Sequence, residues 1–167
     1  MRIGVTGHQH LDDSGGWPWV EGAIRGFLAG AEPPLVGITS LAMGADQLFA
    51  REVLRAGGTL HVVVPFPDYG STFSDGAARD EYERLLDRAG RAEVLPRLET
   101  DEHSFFAAGK RVVDLSDALV AVWNGRPAAG LGGTADVVGY AARLGRRIHH
   151  VDPVKRSAEM LRTGRSG

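Results

Sequence analysis

Short apolar runs punctuate the chain: Arg2 to Thr6, Leu35 to Ser40, Leu60 to Pro65, Ala118 to Trp123 and Arg147 to Val151. They are rich in Val, Ile and Leu without strict polar alternation, which is the pattern of strands covered on both faces. Between them apolar residues recur at helical spacing. Trp19 to Leu28 sets Val20, Ala23, Ile24 and Phe27 on one side, and Ala45 to Ala56 does the same with Leu48, Phe49, Val53 and Leu54. Asp80 to Ala89, Phe105 to Ser116 and Ala135 to Leu144 complete the helical set. Strand then helix, repeated, predicts right-handed βαβ units. The expected fold is α/β, a Rossmann-like parallel sheet of about five or more strands with helices on both faces. The stretch from Pro153 predicts a short helix that frays into the small polar residues Thr163 to Gly167, so 153–167 is expected to be a peripheral tail of one domain spanning 1–167.

Composition narrows the function classes. At 167 residues the chain is long enough to bury a full core, and its 43% hydrophobic content excludes a disordered chain. A net charge of -2 argues against a nucleic-acid partner, since such binders carry a basic excess. The absence of cysteine excludes disulfides, thiolate zinc sites and thiol catalysis. No apolar run approaches the roughly 18 residues of a membrane span. The first residues read as a strand rather than a charged and then apolar leader, so a cytoplasmic location is expected.

Chemistry is expected where strands end. Loops at the carboxyl edge of an open parallel sheet hold the ligand. The first such turn is Thr6-Gly7-His8-Gln9-His10, where Gly7 lets the backbone approach a ligand. It is neither a dinucleotide fingerprint nor a Walker A loop. His8 and His10 lack a third partner at metal-ligand spacing, and the adjacent His149 and His150 point to opposite faces of a strand, so no metal site is expected. The second turn is Ser40-Leu41-Ala42-Met43-Gly44-Ala45-Asp46. Here a helix start offers free amides to an anion, with the Ser40 hydroxyl beside them. Asp46 suits the helix dipole, with a hydrogen bond to a ribose hydroxyl or the neighbouring loop as its alternative role. The third loop runs from Pro65 to Gly76, and its Phe66 and Tyr69, like Trp123, could stack on a base.

The fourth turn carries the strongest signal. Asn124-Gly125-Arg126 opens a flexible loop, and Gly132-Gly133-Thr134 leads into a helix with Asp136 in its first turn. Paired glycines and a threonine at a helix start form a phosphate cradle, although Thr134 could equally be a plain helix cap. Arg126 is placed to close over a phosphate, and Lys110 and Arg111 lie on the preceding helix.

In order, Thr6-Gly7-His8, Leu41-Ala42-Met43-Gly44-Ala45-Asp46, Val64-Pro65-Phe66-Pro67 with Tyr69 and Phe73, Val122-Trp123-Asn124-Gly125 and Gly132-Gly133-Thr134 resemble the SLOG superfamily of Rossmann-like domains. The likeness is to its bacterial branch with a TGHR, LAxGAD and GGTA pattern, and it runs from Arg2 to about Asp152. The superfamily is related to the LOG phosphoribohydrolases, once mistaken for lysine decarboxylases, and to DprA. The resemblance implies a nucleotide or nucleotide-derived ligand, held by Gly132, Gly133 and Thr134 with help from the turns at Gly7 and Gly44. No further cofactor is implied. It also implies a sensor or binding module, with a homo-oligomer as the expected assembly. The alternative is hydrolysis of the N-glycosidic bond of nucleoside 5′-monophosphates, with Asp136 and Arg111 as catalytic pair. Single-stranded DNA binding of the DprA kind ranks below both. The chain departs from the hydrolase loop PGGxGTxxE in having Asp136 and no glutamate there, and Gln9 stands where the branch has Arg.

Overall fold

The computed structural model describes residues 1–161. Seven strands form one sheet: β1 (Arg2–Gly7), β2 (Val36–Thr39), β3 (Thr59–Val64), β4 (Arg91–Val94), β5 (Ala118–Val122), β6 (Arg147–Asp152) and β7 (Ser157–Leu161). Their order is β4-β3-β2-β1-β5-β6-β7, parallel throughout except for the β6–β7 pair. The helices are α1 (Trp17–Ala29), α2 (Ala45–Arg55), α3 (Gly76–Asp87), α4 (Asp101–Asp114) and α5 (Thr134–Arg143). None of the described helices is long and apolar enough to cross a membrane.

The sheet is buried on both faces, as its apolar runs require. One core joins Ile3, Val5 and Val62 to α1, α2 and α3 through Ile24, Phe49 and Leu85. The other joins Ile38, Val63 and Leu119 to α4 and α5 through Val112 and Val137. This is a doubly wound Rossmann-like fold, and chain order reverses between β1 and β5. In such sheets the two connections leaving the reversal point run to opposite faces and open a crevice between them.

Two strands depart from the expected pattern. β4 is a mostly exposed edge strand whose residues alternate charged and apolar too briefly to stand out. β7 replaces the expected tail helix. Asp152 Oδ1 accepts from the amides of Val154 and Lys155 (2.9 and 3.0 Å), and Arg156 takes a positive φ of 50°. That turn sends the chain back antiparallel along β6, where exposed Ser157, Ala158 and Glu159 suit an edge. The expected fraying at Thr163 to Gly167 lies outside the described residues. Two helices begin one turn earlier than apolar spacing suggests, because polar caps start them. Asp75 accepts from the Ala78 amide at α3, and Thr100 from the His103 amide at α4.

Candidate functional site at the sheet reversal

A cavity of about 770 Å³ lies over the carboxyl ends of β1 and β5. The loops after β1, β2, β3 and β5 and the first turns of α4 and α5 line it. Of the residues expected at a ligand site, Gly7, His8, Gln9, Ser40, Asp46, Pro65 and Tyr69 reach this lining from the first three loops. Asn124, Arg126, Gly132, Gly133 and Thr134 reach it from the fourth.

The β1 turn is bolted to its neighbours through His8. Its amide donates to the Val122 carbonyl (3.0 Å), and its carbonyl accepts from the Ala45 amide (3.1 Å). Its ring reaches the loop after β5, where Nε2 accepts from the Asn124 amide (3.1 Å). The carbonyl of that same Trp123–Asn124 peptide accepts from His150 Nε2 (2.7 Å). One peptide plane is thus gripped at both edges by imidazoles, which assigns the His8 proton to Nδ1 and a proton to His150 Nε2. Trp123 Nε1 donates to the Arg126 carbonyl (2.7 Å) and Asn124 Oδ1 accepts from the Arg126 amide (3.1 Å). These bonds fix the backbone that presents Arg126. The bond from Asn124 to the His8 ring connects residues 116 apart, which no local pattern announces.

The two helix starts differ. At α2 two of the anticipated free amides are taken, while that of Asp46 has no acceptor among the described residues. The Ala45 amide is bound to His8, and that of Gln47 donates to the Ala42 carbonyl (3.2 Å). Gly44 stands off the cavity at φ 85°, and a Cβ there would lie 2.5 Å from the Gln9 carbonyl oxygen. It is needed for close backbone approach. Leu41, at φ 56°, turns its side chain wholly into the core. Asp46 Oδ2 accepts from Thr39 Oγ1 (3.1 Å) and the Ser40 amide (3.2 Å), tying the loop across its base. Burial pushes the Asp46 carboxyl up to about 6, against the pull of those hydrogen bonds.

At α5 the start is open. Gly133, not Thr134, is the cap, with φ -69° and ψ 172°, and no side chain closes it. The amides of Thr134 and Ala135 have no acceptor within the helix, and both residues line the cavity. Asp136 does not line the cavity. Its Oδ2 accepts from the Gly132 amide (2.8 Å) and so holds the glycine turn in shape. Gly132, at φ 83°, presses on α4, where a Cβ would meet the Glu102 carbonyl at 2.9 Å.

The remaining expected residues lie apart. Arg111 sits in the last turn of α4, with Nε on Glu93 Oε2 (3.0 Å), and neither it nor Asp136 faces the cavity. Phe66 is fully buried beneath the Arg97 guanidinium (3.9 Å), and Gly125 bulges outward in open space. Lys110 lies over Phe106.

Three aromatic rings form one wall. Tyr69 packs edge-on against Phe73 (5.2 Å) and Phe105 (6.1 Å). Phe105 enters from the first turns of α4, a position that its place after β4 marks out but that apolar spacing alone does not. Charge across the lining is uneven. Arg126 is its one guanidinium and has no ion-pair partner among the described residues, whereas Asp46, Asp75 and Asp101 stand at the starts of α2, α3 and α4.

No family model matches the sequence, and no curated protein does. Solved structures do. DNA processing protein A from Streptococcus pneumoniae superposes over 90% of this chain with a TM-score of 0.64 and 18% identity. Its counterpart from Helicobacter pylori covers 91% at 0.61 and 13% identity, and the structural-genomics target TM1055 covers 88% at 0.56 and 15%. The fold is shared with DprA. At these identities the likeness is one of fold alone. The chain spans 50% of the length of the Streptococcus protein, 65% of the Helicobacter protein and 71% of TM1055. The Helicobacter structure describes single-stranded DNA binding by that protein.

Proposed function

We propose that this chain binds a small phosphate-bearing ligand of the nucleotide class in the reversal cavity, as a sensor or binding module. The observation that carries the proposal is the contrast between the two helix starts. α2 has its Ala45 and Gln47 amides closed by protein carbonyls, while α5 leaves two successive amides, those of Thr134 and Ala135, unpaired beside a cavity that also holds the unpaired Arg126. Backbone amides at a helix start favour an anion, and a guanidinium matches phosphate geometry. The aromatic wall of Tyr69, Phe73 and Phe105 suits a base. The order of the SLOG-like motifs supports the same reading, and with it a cytoplasmic homo-oligomer. Glycosidic cleavage by Asp136 and Arg111 has less support, because Asp136 is spent on Gly132 and Arg111 on Glu93.

Thermal unfolding against nucleoside monophosphates, inorganic phosphate and a single-stranded oligonucleotide tests the proposal. A ligand at 100 times its Kd adds roughly 2.7 kcal/mol, a shift of several degrees for a domain of this size. The expected result is a shift with at least one mononucleotide, no release of free base, and none of the shift with Arg126→Ala at the same ligand concentration. A shift only with the oligonucleotide would favour a DprA-like role, and base release would restore the hydrolase reading.

A further inference from the structure

The Asn124 amide has one acceptor among the described residues, the lone pair on His8 Nε2 at 3.1 Å. The cation of the cavity hangs on that bond. Arg126 is exposed, and its backbone is held by the first two residues of its own loop. Its amide donates to Asn124 Oδ1 (3.1 Å), and its carbonyl accepts from Trp123 Nε1 (2.7 Å). The side chains that hold it flank a single peptide plane. That plane is fixed in turn by His8 at its N–H edge and by His150 at its carbonyl edge. A run of hydrogen bonds thus leads from the β1 turn to Arg126 with no bond between His8 and Arg126 themselves.

The two imidazoles respond differently to a proton. His150 Nε2 already donates to the Trp123 carbonyl (2.7 Å), so a second proton on that ring leaves the bond in place. His8 Nε2 accepts. An imidazolium donates from both nitrogens, so a protonated His8 sets N–H against the Asn124 N–H and the bond is lost. The β1 turn is pinned, because the His8 amide is bound to Val122 and its carbonyl to Ala45. The loop after β5 is free to yield at Gly125, which has φ 79° and open space around it. No neighbouring carboxylate takes up the new charge by a bond to the ring. Asp46 on α2 is spent on Thr39, Asp75 before α3 on the Ala78 amide, Asp101 on α4 on Arg97, and Asp152 at the end of β6 on the Val154 amide. His10, on the same turn, is exposed.

We propose that His8 is a positioning residue for Arg126 and makes anion binding in the reversal cavity sensitive to protons. Neutral His8 holds the Arg126 loop at the cavity, and protonated His8 releases it. This rests on the phosphate reading above and adds regulation to it. The sign is opposite to that of simple electrostatics, in which positive charge gained beside the site strengthens the hold on an anion. Imidazoles change charge between roughly pH 5 and 8, which sets the range to search.

The test is titration calorimetry with 5′-AMP, GMP, CMP, UMP and inorganic phosphate at pH 8 and pH 5.5, on the wild-type chain, His8→Gln and His8→Phe. Glutamine carries Oε1 as many bonds from the backbone as His8 carries Nε2 and accepts at both pH values, whereas phenylalanine accepts at neither. The titrations of Asp46 and of the phosphate itself are common to all three chains, so the readout is the ratio of Kd at pH 5.5 to Kd at pH 8. That ratio is expected to be at least about 10-fold larger in the wild-type chain than in His8→Gln. At pH 8 His8→Phe is expected to bind about 10-fold more weakly than His8→Gln. In amide NMR spectra of the free chain, the Asn124 and Arg126 signals are expected to move together between the two pH values in the wild type and to stay in place in His8→Gln. Equal ratios in the wild type and His8→Gln overturn the inference and leave phosphate binding standing. So do tighter wild-type binding at pH 5.5, full affinity in His8→Phe, or stationary Asn124 and Arg126 amides. If neither nucleotides nor phosphate bind the wild type at pH 8, the phosphate reading falls and the regulation falls with it.

Discussion

Gly44→Ala is expected to destabilise the domain by on the order of 4 kcal/mol, the largest effect of any single methyl group added near the site. Two penalties combine. The residue has φ 85° and ψ -120°, a backbone region in which side chains are strained by about 1–3 kcal/mol. The new Cβ would also lie 2.5 and 2.6 Å from the carbonyl oxygens of Gln9 and His8, which cannot swing away as a flexible side chain would. The His8 carbonyl is already fixed on the Ala45 amide, so the clash falls on the joint between the β1 turn and α2. Gly57→Ala is the control. Gly57 has a similar φ of 79° but open space around its missing Cβ, so only the backbone strain of about 1 kcal/mol remains. Urea unfolding of both variants checks the contrast. Equal losses would show that the β1 turn yields and that the close approach carries little energy.

Asp46→Asn should be stabilising at alkaline pH and not at acid pH. Burial raises the Asp46 carboxyl from an ordinary 3.8 to about 6, so the folded chain holds this proton more tightly than the unfolded chain does. Its contribution to stability is therefore full below about pH 4 and is lost as pH rises through 6. Above that, the buried carboxylate costs on the order of 2–3 kcal/mol, which asparagine escapes while its Oδ1 still accepts from Thr39 and the Ser40 amide. Urea midpoints at pH 4.5 and pH 8 should show the variant gaining about 2 kcal/mol on the wild type between the two. A difference that does not move with pH would mean that the hydrogen bonds of Asp46 outweigh its desolvation.

How much of this was legible in the sequence depended on burial. β1, β2, β3 and β5 are covered on both faces, so each wrote an apolar run, and β6 was marked by its buried Ile148 and Val151 alone. β4 and β7 lie at the sheet edges, where Arg91, Glu93 and Glu159 are tolerated, and edge strands leave no such run. The open cradle at Gly132, Gly133 and Thr134 is local in the chain and could be read as a glycine-rich helix start. Its counterpart at Ala45 looks alike in sequence but is closed by the His8 carbonyl, a contact between distant parts of the chain. Leu41 and Phe66 stand beside turn residues yet point inward, a direction set by backbone dihedral angles rather than residue type. The pairing of Asp136 with Gly132 is again local, four residues apart, and holds the shape of the loop.

The central claim is that the open start of α5 is an anion site. The most direct measurement is the amide nitrogen–proton NMR spectrum of the chain during titration with the mononucleotide that gives the largest thermal shift. The predicted result is that the amides of Gly133, Thr134 and Ala135 move furthest and saturate together, with the Arg126 side chain, while those of Ala45 and Gln47 at α2 stay near their starting positions. Saturable shifts centred on α2, or on residues outside the cavity, would contradict it.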